Sequence, residues 1–166
     1  MVSHNGEPDY QPFPNYNSYV AELVAGTVYV PLCSKPTRRI PEFLLYVDNL
    51  LADICICRIT AIIALIYCDR LRSHLPACAI GVQDTLHRVY TAALLLACKY
   101  TGNPFSHCDV ARASQLFTLQ DINRMEFEFL TMLDYDTWIS ADHLAQFLSE
   151  NQDGLYSVLK FKDFDP

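Results

Sequence analysis

Few residues in this chain have the types and spacing that chemistry requires. His107-Cys108-Asp109 sets three metal-capable side chains in succession, and Cys55-Ile56-Cys57 is a close thiol pair. A structural zinc site draws on spacings such as Cys-x-x-Cys or His-x-x-x-His, and neither occurs. No metal and no other cofactor is therefore expected, and a metal-binding helical protein remains only as an alternative. A nucleophile needs a base within hydrogen-bond reach and an oxyanion site, yet Gly-x-Ser-x-Gly and His-Glu-x-x-His are both missing. Five glycines scattered singly leave no phosphate-cradling loop. No catalytic residue is expected, and the chain reads as a non-enzyme. Asp69 stands amid Ile66, Tyr67 and Leu71, where a bare carboxylate is costly and calls for a cation. A solvated helix-end aspartate is the other reading of it. His87 and Arg88 fall in a first helical turn, where packing and capping suit His87 better than proton transfer.

The whole chain has to position these groups with modest means. Its 166 residues are 51% apolar, enough for one domain with a substantial core and too few for two of usual size. Only 19% of them are charged and the mean hydropathy is slightly positive, which suggests apolar surface destined for a partner. A net charge of −7 argues against nucleic acid, since Lys35, Arg38 and Arg39 form the one dense basic stretch. The first residues have neither a basic start nor an apolar run, so no secretory signal is expected and the protein should stay inside the cell. The apolar runs at 62–67 and 92–98 fall well short of the roughly 18 to 20 residues that cross a bilayer. No membrane association is expected. Seven cysteines, odd in number and irregularly spaced, read as reduced core thiols.

The elements follow from periodicity and punctuation. Residues 1–36 form an extension: 8–16 lack periodicity, then Asn17 and Ser18 cap a short helix striped by Tyr19, Val20, Leu23, Val24 and Val28 and ended by Pro31. A domain over 37–149 then strings helices together with no convincing period-two segment, which makes it all-α. The first helix starts at Pro41 and runs through Phe43, Leu44, Val47, Leu50 and Leu51. The second, 58–73, is apolar around nearly its whole circumference, including Ile59, and must be enclosed. The third, 85–100, begins after Asp84 as a cap, and its Ala92, Ala93 and Ala97 permit close helix approach. Gly102-Asn103-Pro104 ends it. A shorter helix at 106–114, a fifth at 119–133 capped by Thr118, and a sixth at 141–149 complete the set, leaving 150–166 as a tail.

Four motifs in this order resemble a known family. Ile66-Tyr67-Cys68-Asp69-Arg70-Leu71 resembles the cyclin helix-two signature ending in Asp-Arg. Asp84-Thr85-Leu86-His87-Arg88-Val89-Tyr90-Thr91-Ala92 is similar to the start of helix three in fungal phosphate-regulation cyclins, whose His-Arg pair separates them from cell-cycle cyclins. Ala97-Cys98-Lys99-Tyr100 matches the family's Ala-x-Lys-aromatic end of helix three, and 122–130 resembles its Leu-Asn-x-Leu-Glu-x-x-Phe-Leu in helix five. Three departures stand out. Thr101-Gly102-Asn103 stands where the family usually carries acidic residues just after the lysine. Ala113-Ser114-Gln115-Leu116 replaces the family's Gly-Gly after helix four, and Ile40-Pro41-Glu42-Phe43-Leu44 does not reproduce the substrate-docking motif of the cell-cycle branch.

The resemblance implies one cyclin-box domain that binds and activates a cyclin-dependent protein kinase, expected in nucleus and cytoplasm. It makes Lys99 and Glu126 the kinase-binding pair, the ammonium meeting backbone carbonyls and the carboxylate accepting from amide or hydroxyl donors. Both are single charges ending apolar helical runs, suited to fixing the register of an apolar contact, and both are expected to be largely exposed in the free protein. A snorkelling lysine and a solvated glutamate are the alternative. Asp69, Arg70, His87 and Arg88 are implied to be structural signature residues, with Arg38 or Arg39 as the cation for Asp69. A cyclin-fold scaffold or transcription adaptor is the second functional alternative, although a second box and a basic face are missing.

Overall fold

A computed structural model describes residues 40–54, 56–76, 78–103 and 105–151. The helix expected within 17–31, Arg38, Arg39 and the tail from 152 onward lie outside the described residues. Six helices follow in order: α1 (Phe43–Ile54), α2 (Arg58–His74), α3 (Thr85–Tyr100), α4 (His107–Ser114), α5 (Leu119–Met132) and α6 (Ala141–Glu150). Among the described residues there is no extended strand, so the all-α expectation is met.

Local chemistry explains most of the boundaries. Ser106 and Asp109 form a reciprocal capping box at α4, and Thr118 and Asp121 form another at α5, each satisfying two backbone donors that a helix start leaves free. Ser140 accepts from the His143 amide at α6. Asp84 departs from expectation. It occupies the cap position of α3, but its carboxylate takes the Arg88 guanidinium at 3.0 Å instead of a backbone N–H. The α3 helix ends where Gly102 adopts φ 70 and the Asn103 amide returns to the Cys98 carbonyl, a closure that needs a left-handed residue. After α4 the same conformation falls to Gln115, at φ 50, and Ser114 Oγ accepts from the Phe117 amide to hold the turn. The chain thus makes this turn without the glycine pair.

The α3 helix is the centre of the molecule. Eleven of its sixteen residues are buried, Val89 to Cys98 without a break, because α2 and α5 flank it and α4 and α1 close further sides. Ala93 and Ala97 are fully buried, as close packing against α2 requires. The α2 helix buries ten of its seventeen residues, although Ile59 in its first turn is exposed, contrary to the fully enclosed reading. The thiols divide. Cys68 and Cys98 are buried, whereas Cys57, Cys78 and Cys108 are exposed, since they sit at a helix cap, a connection and a first turn instead of on an apolar stripe. All five are free, and burial pushes the Cys98 thiol up to about 11.

Candidate functional site

Lys99 lies in the last turn of α3, Glu126 lies in the middle of α5, and His107 is the first residue of α4. Packing of α3 against α5, and of α4 against both, draws the three together. Lys99 Nζ donates to Glu126 Oε1 at 2.5 Å, and His107 Nε2 lies 2.6 Å from the other carboxylate oxygen. The two nitrogens are 3.3 Å apart, both aimed at the same carboxylate. Because a carboxylate only accepts, His107 Nε2 carries a proton here. The Glu126 side chain is 14% exposed, against 42% for Lys99 and 30% for His107. Glu126 is therefore not the largely exposed group expected from sequence, because α4 closes over it.

Burial pushes the Glu126 carboxyl up, but the hydrogen bonds from Lys99 and His107, together with their charges, outweigh burial and leave it below the usual carboxylate range. It is an ionised acceptor with one oxygen held by each neighbour. Tyr100 follows Lys99 and Phe127 follows Glu126, and both are exposed.

A second feature organises the α5–α6 turn. Arg70, only 9% exposed, donates Nη1 to the Asp136 carbonyl at 2.5 Å and Nη2 to the Trp138 carbonyl at 3.0 Å, and Nη2 also lies 3.2 Å from His143 Nδ1. Tyr67 Oη donates to the Thr137 carbonyl at 2.9 Å and Tyr100 Oη to that of Ile139 at 3.0 Å. Four consecutive carbonyls are thus held from α2 and α3, and the turn presents Tyr135 and Trp138 to solvent.

The remaining signature residues are structural in their contacts. His87 is buried, meets the ring edges of Phe43 at 5.3 Å and Tyr46 at 4.9 Å, and donates Nε2–H to the Pro41 carbonyl at 3.0 Å. Arg88 pairs with Asp84 and lies over the Phe117 ring at 5.4 Å. Asp69 is exposed enough to be solvated and has Arg72, one turn on, at 3.6 Å. Sequence reading considered His107 only as a metal ligand. Among the described residues no three metal-capable side chains converge, and His107 serves the carboxylate of Glu126 instead. The Ser106-x-x-Asp109 box marks where α4 begins but not which neighbour its first residue meets.

A helical bundle built around a buried third helix is the architecture of a cyclin box. The chain belongs to the family of the cyclin N-terminal domain, which it matches over residues 43–138. It is 30% identical to PHO85 cyclin-1 of Saccharomyces cerevisiae over 112 residues, 66% of this chain and 40% of that protein. PHO85 cyclin-2 of the same yeast is 33% identical over 86 residues, 51% of this chain and 28% of the relative. PHO85 cyclin-9 is 25% identical over 113 residues, 67% and 37% of the respective chains. The chain thus spans between 28% and 40% of the length of these curated relatives. No solved structure matches it significantly. The expectation of a fungal cyclin, drawn from four short motifs, agrees with the family and with these relatives. No helix among the described residues is long and apolar enough to cross a membrane.

Proposed function

We propose that this chain binds and activates a cyclin-dependent protein kinase of the kind named in its relatives, PHO85, through the face formed by the end of α3 and the middle of α5. The paired Lys99 and Glu126, drawn together from two helices, carry this reading. Chemistry belongs to the kinase, and the cyclin contributes a rigid surface. A kinase is active when its regulatory-helix glutamate reaches the strand lysine and its activation loop is ordered, so a partner that binds only that arrangement populates it. Moving the kinase from nearly off to nearly on takes about 5 kcal/mol of differential binding, within reach of an interface of ordinary size.

The test is titration calorimetry of purified PHO85 from Saccharomyces cerevisiae against Lys99→Ala and Glu126→Ala. Each truncation strands a partner group at a desolvated contact, so each should weaken the complex roughly 30- to 1,000-fold. Normal binding by both variants would place the interface elsewhere. Kinase assays on the isolated chain should read background only, with activity appearing on addition of PHO85.

A further inference from the structure

We propose that His107 is a positioning residue for partner docking, which holds the Glu126 carboxylate in the plane that the kinase reads. This rests on the kinase interface proposed above. The geometry supplies the reason. The last torsion of a glutamate joins an sp³ carbon to an sp² carboxylate and is soft, so a carboxylate tethered by one oxygen still turns about it. Lys99 tethers only Oε1. His107 takes Oε2 at 2.6 Å from a different helix, and two tethers on two oxygens define a plane. A carboxylate has about four lone-pair sites, so two remain for an amide or hydroxyl donor of the partner, at fixed directions. Preorganisation of this kind raises affinity by removing the rotamer freedom that binding would otherwise have to freeze.

His107 can do this because its own position is set locally. It follows the Ser106 cap directly, and Asp109, the nearest carboxylate on its own helix, is occupied by Ser106 and Arg112. The charged groups facing it are Lys99 from α3 and Glu126 from α5. The His107 side chain is 30% exposed and that of Glu126 14%, so both remain in part open to solvent.

The experiment is a double-mutant cycle read by PHO85 binding, with thermal melts on the same samples. His107→Ala should weaken binding about tenfold, the scale of one charge-assisted hydrogen bond. His107→Asn should behave like Ala, because its amide reaches only as far as Nδ1. His107→Gln, whose amide reaches the place of Nε2, should bind within about threefold of the parent, a loss of one hydrogen bond's share at most. In a Glu126→Ala background, His107→Ala should cost less than about twofold more, since a residue that acts through Glu126 has nothing left to position. If Glu126→Ala loses binding while His107→Ala and His107→Asn bind like the parent, the positioning role is wrong and the interface stands. A His107→Ala loss that persists in full without Glu126 also overturns it. Normal binding by the Lys99 and Glu126 variants sinks the interface and this inference with it.

Discussion

Replacing Arg70 with alanine should loosen the turn between α5 and α6 without unfolding the core. The Arg70 side chain is 9% exposed and its guanidinium donates to two carbonyls of that turn, with a third contact to His143 and an ion pair to Asp136 at 3.4 Å. A hydrogen bond from a charged donor is worth about 1.5 to 3 kcal/mol when its acceptor would otherwise be stranded. Here the acceptors lie in an exposed turn and regain water, so the two together should count for about 2 kcal/mol, with a few tenths more from the packed aliphatic stem. In a domain of this size about 2 kcal/mol lowers the thermal midpoint by roughly 4 to 8 °C. The partner variant is Tyr67→Phe, which frees the Thr137 carbonyl in the same turn. Both variants release one segment, so their combined cost should be smaller than the sum of the single costs. Urea melts of the parent, both single variants and the double variant would measure this. A cost for Arg70→Ala below about 0.5 kcal/mol, the range of ordinary surface changes, would show that the clamp does not hold the turn.

Glu126 ties stability to pH. Its carboxyl is lowered in the folded state from an ordinary value of 4.5, so the stability it contributes is fully present above about 4.5 and is lost as pH falls through the lower folded value. Urea melts across acid pH should show the gap between the parent and Glu126→Gln closing as pH falls below that point; a gap that widens on acidification there contradicts the sign. Alkylation with iodoacetamide near pH 8, read by peptide mass spectrometry, should label Cys57, Cys78 and Cys108 in the native protein and spare Cys68 and Cys98 until urea unfolds it. Early labelling of Cys98 would mean that α2 and α3 are not packed as described. Leu94→Ala empties a fully buried position at the middle of α3 and should cost about 3 kcal/mol in a urea melt. A chelator should leave the thermal midpoint where it was, and a drop of several degrees would revive a structural metal.

The helices themselves were legible because their signals are local. Apolar period, a capping serine or threonine with an acidic residue three positions on, and a glycine in the left-handed conformation all act within one or two turns. The starts of α4 and α5 and the end of α3 follow from such signals, and so does the cyclin resemblance, whose motifs are short runs on single helices. Where local signals compete, sequence does not decide. Asp84 has a backbone amide and a guanidinium one turn away both within reach, and the guanidinium takes it. Tertiary packing alone decided the rest. Lys99 and Glu126 are 27 positions apart and His107 and Glu126 are 19 apart, so nothing in the chain's local pattern announces that they share one carboxylate. The same holds for Arg70 and the turn it clamps, 66 to 73 residues further on. A helical period tells which face a side chain is on; only the arrangement of α3, α4 and α5 tells what that face meets, which is why Glu126 is nearly covered and His107 becomes its partner.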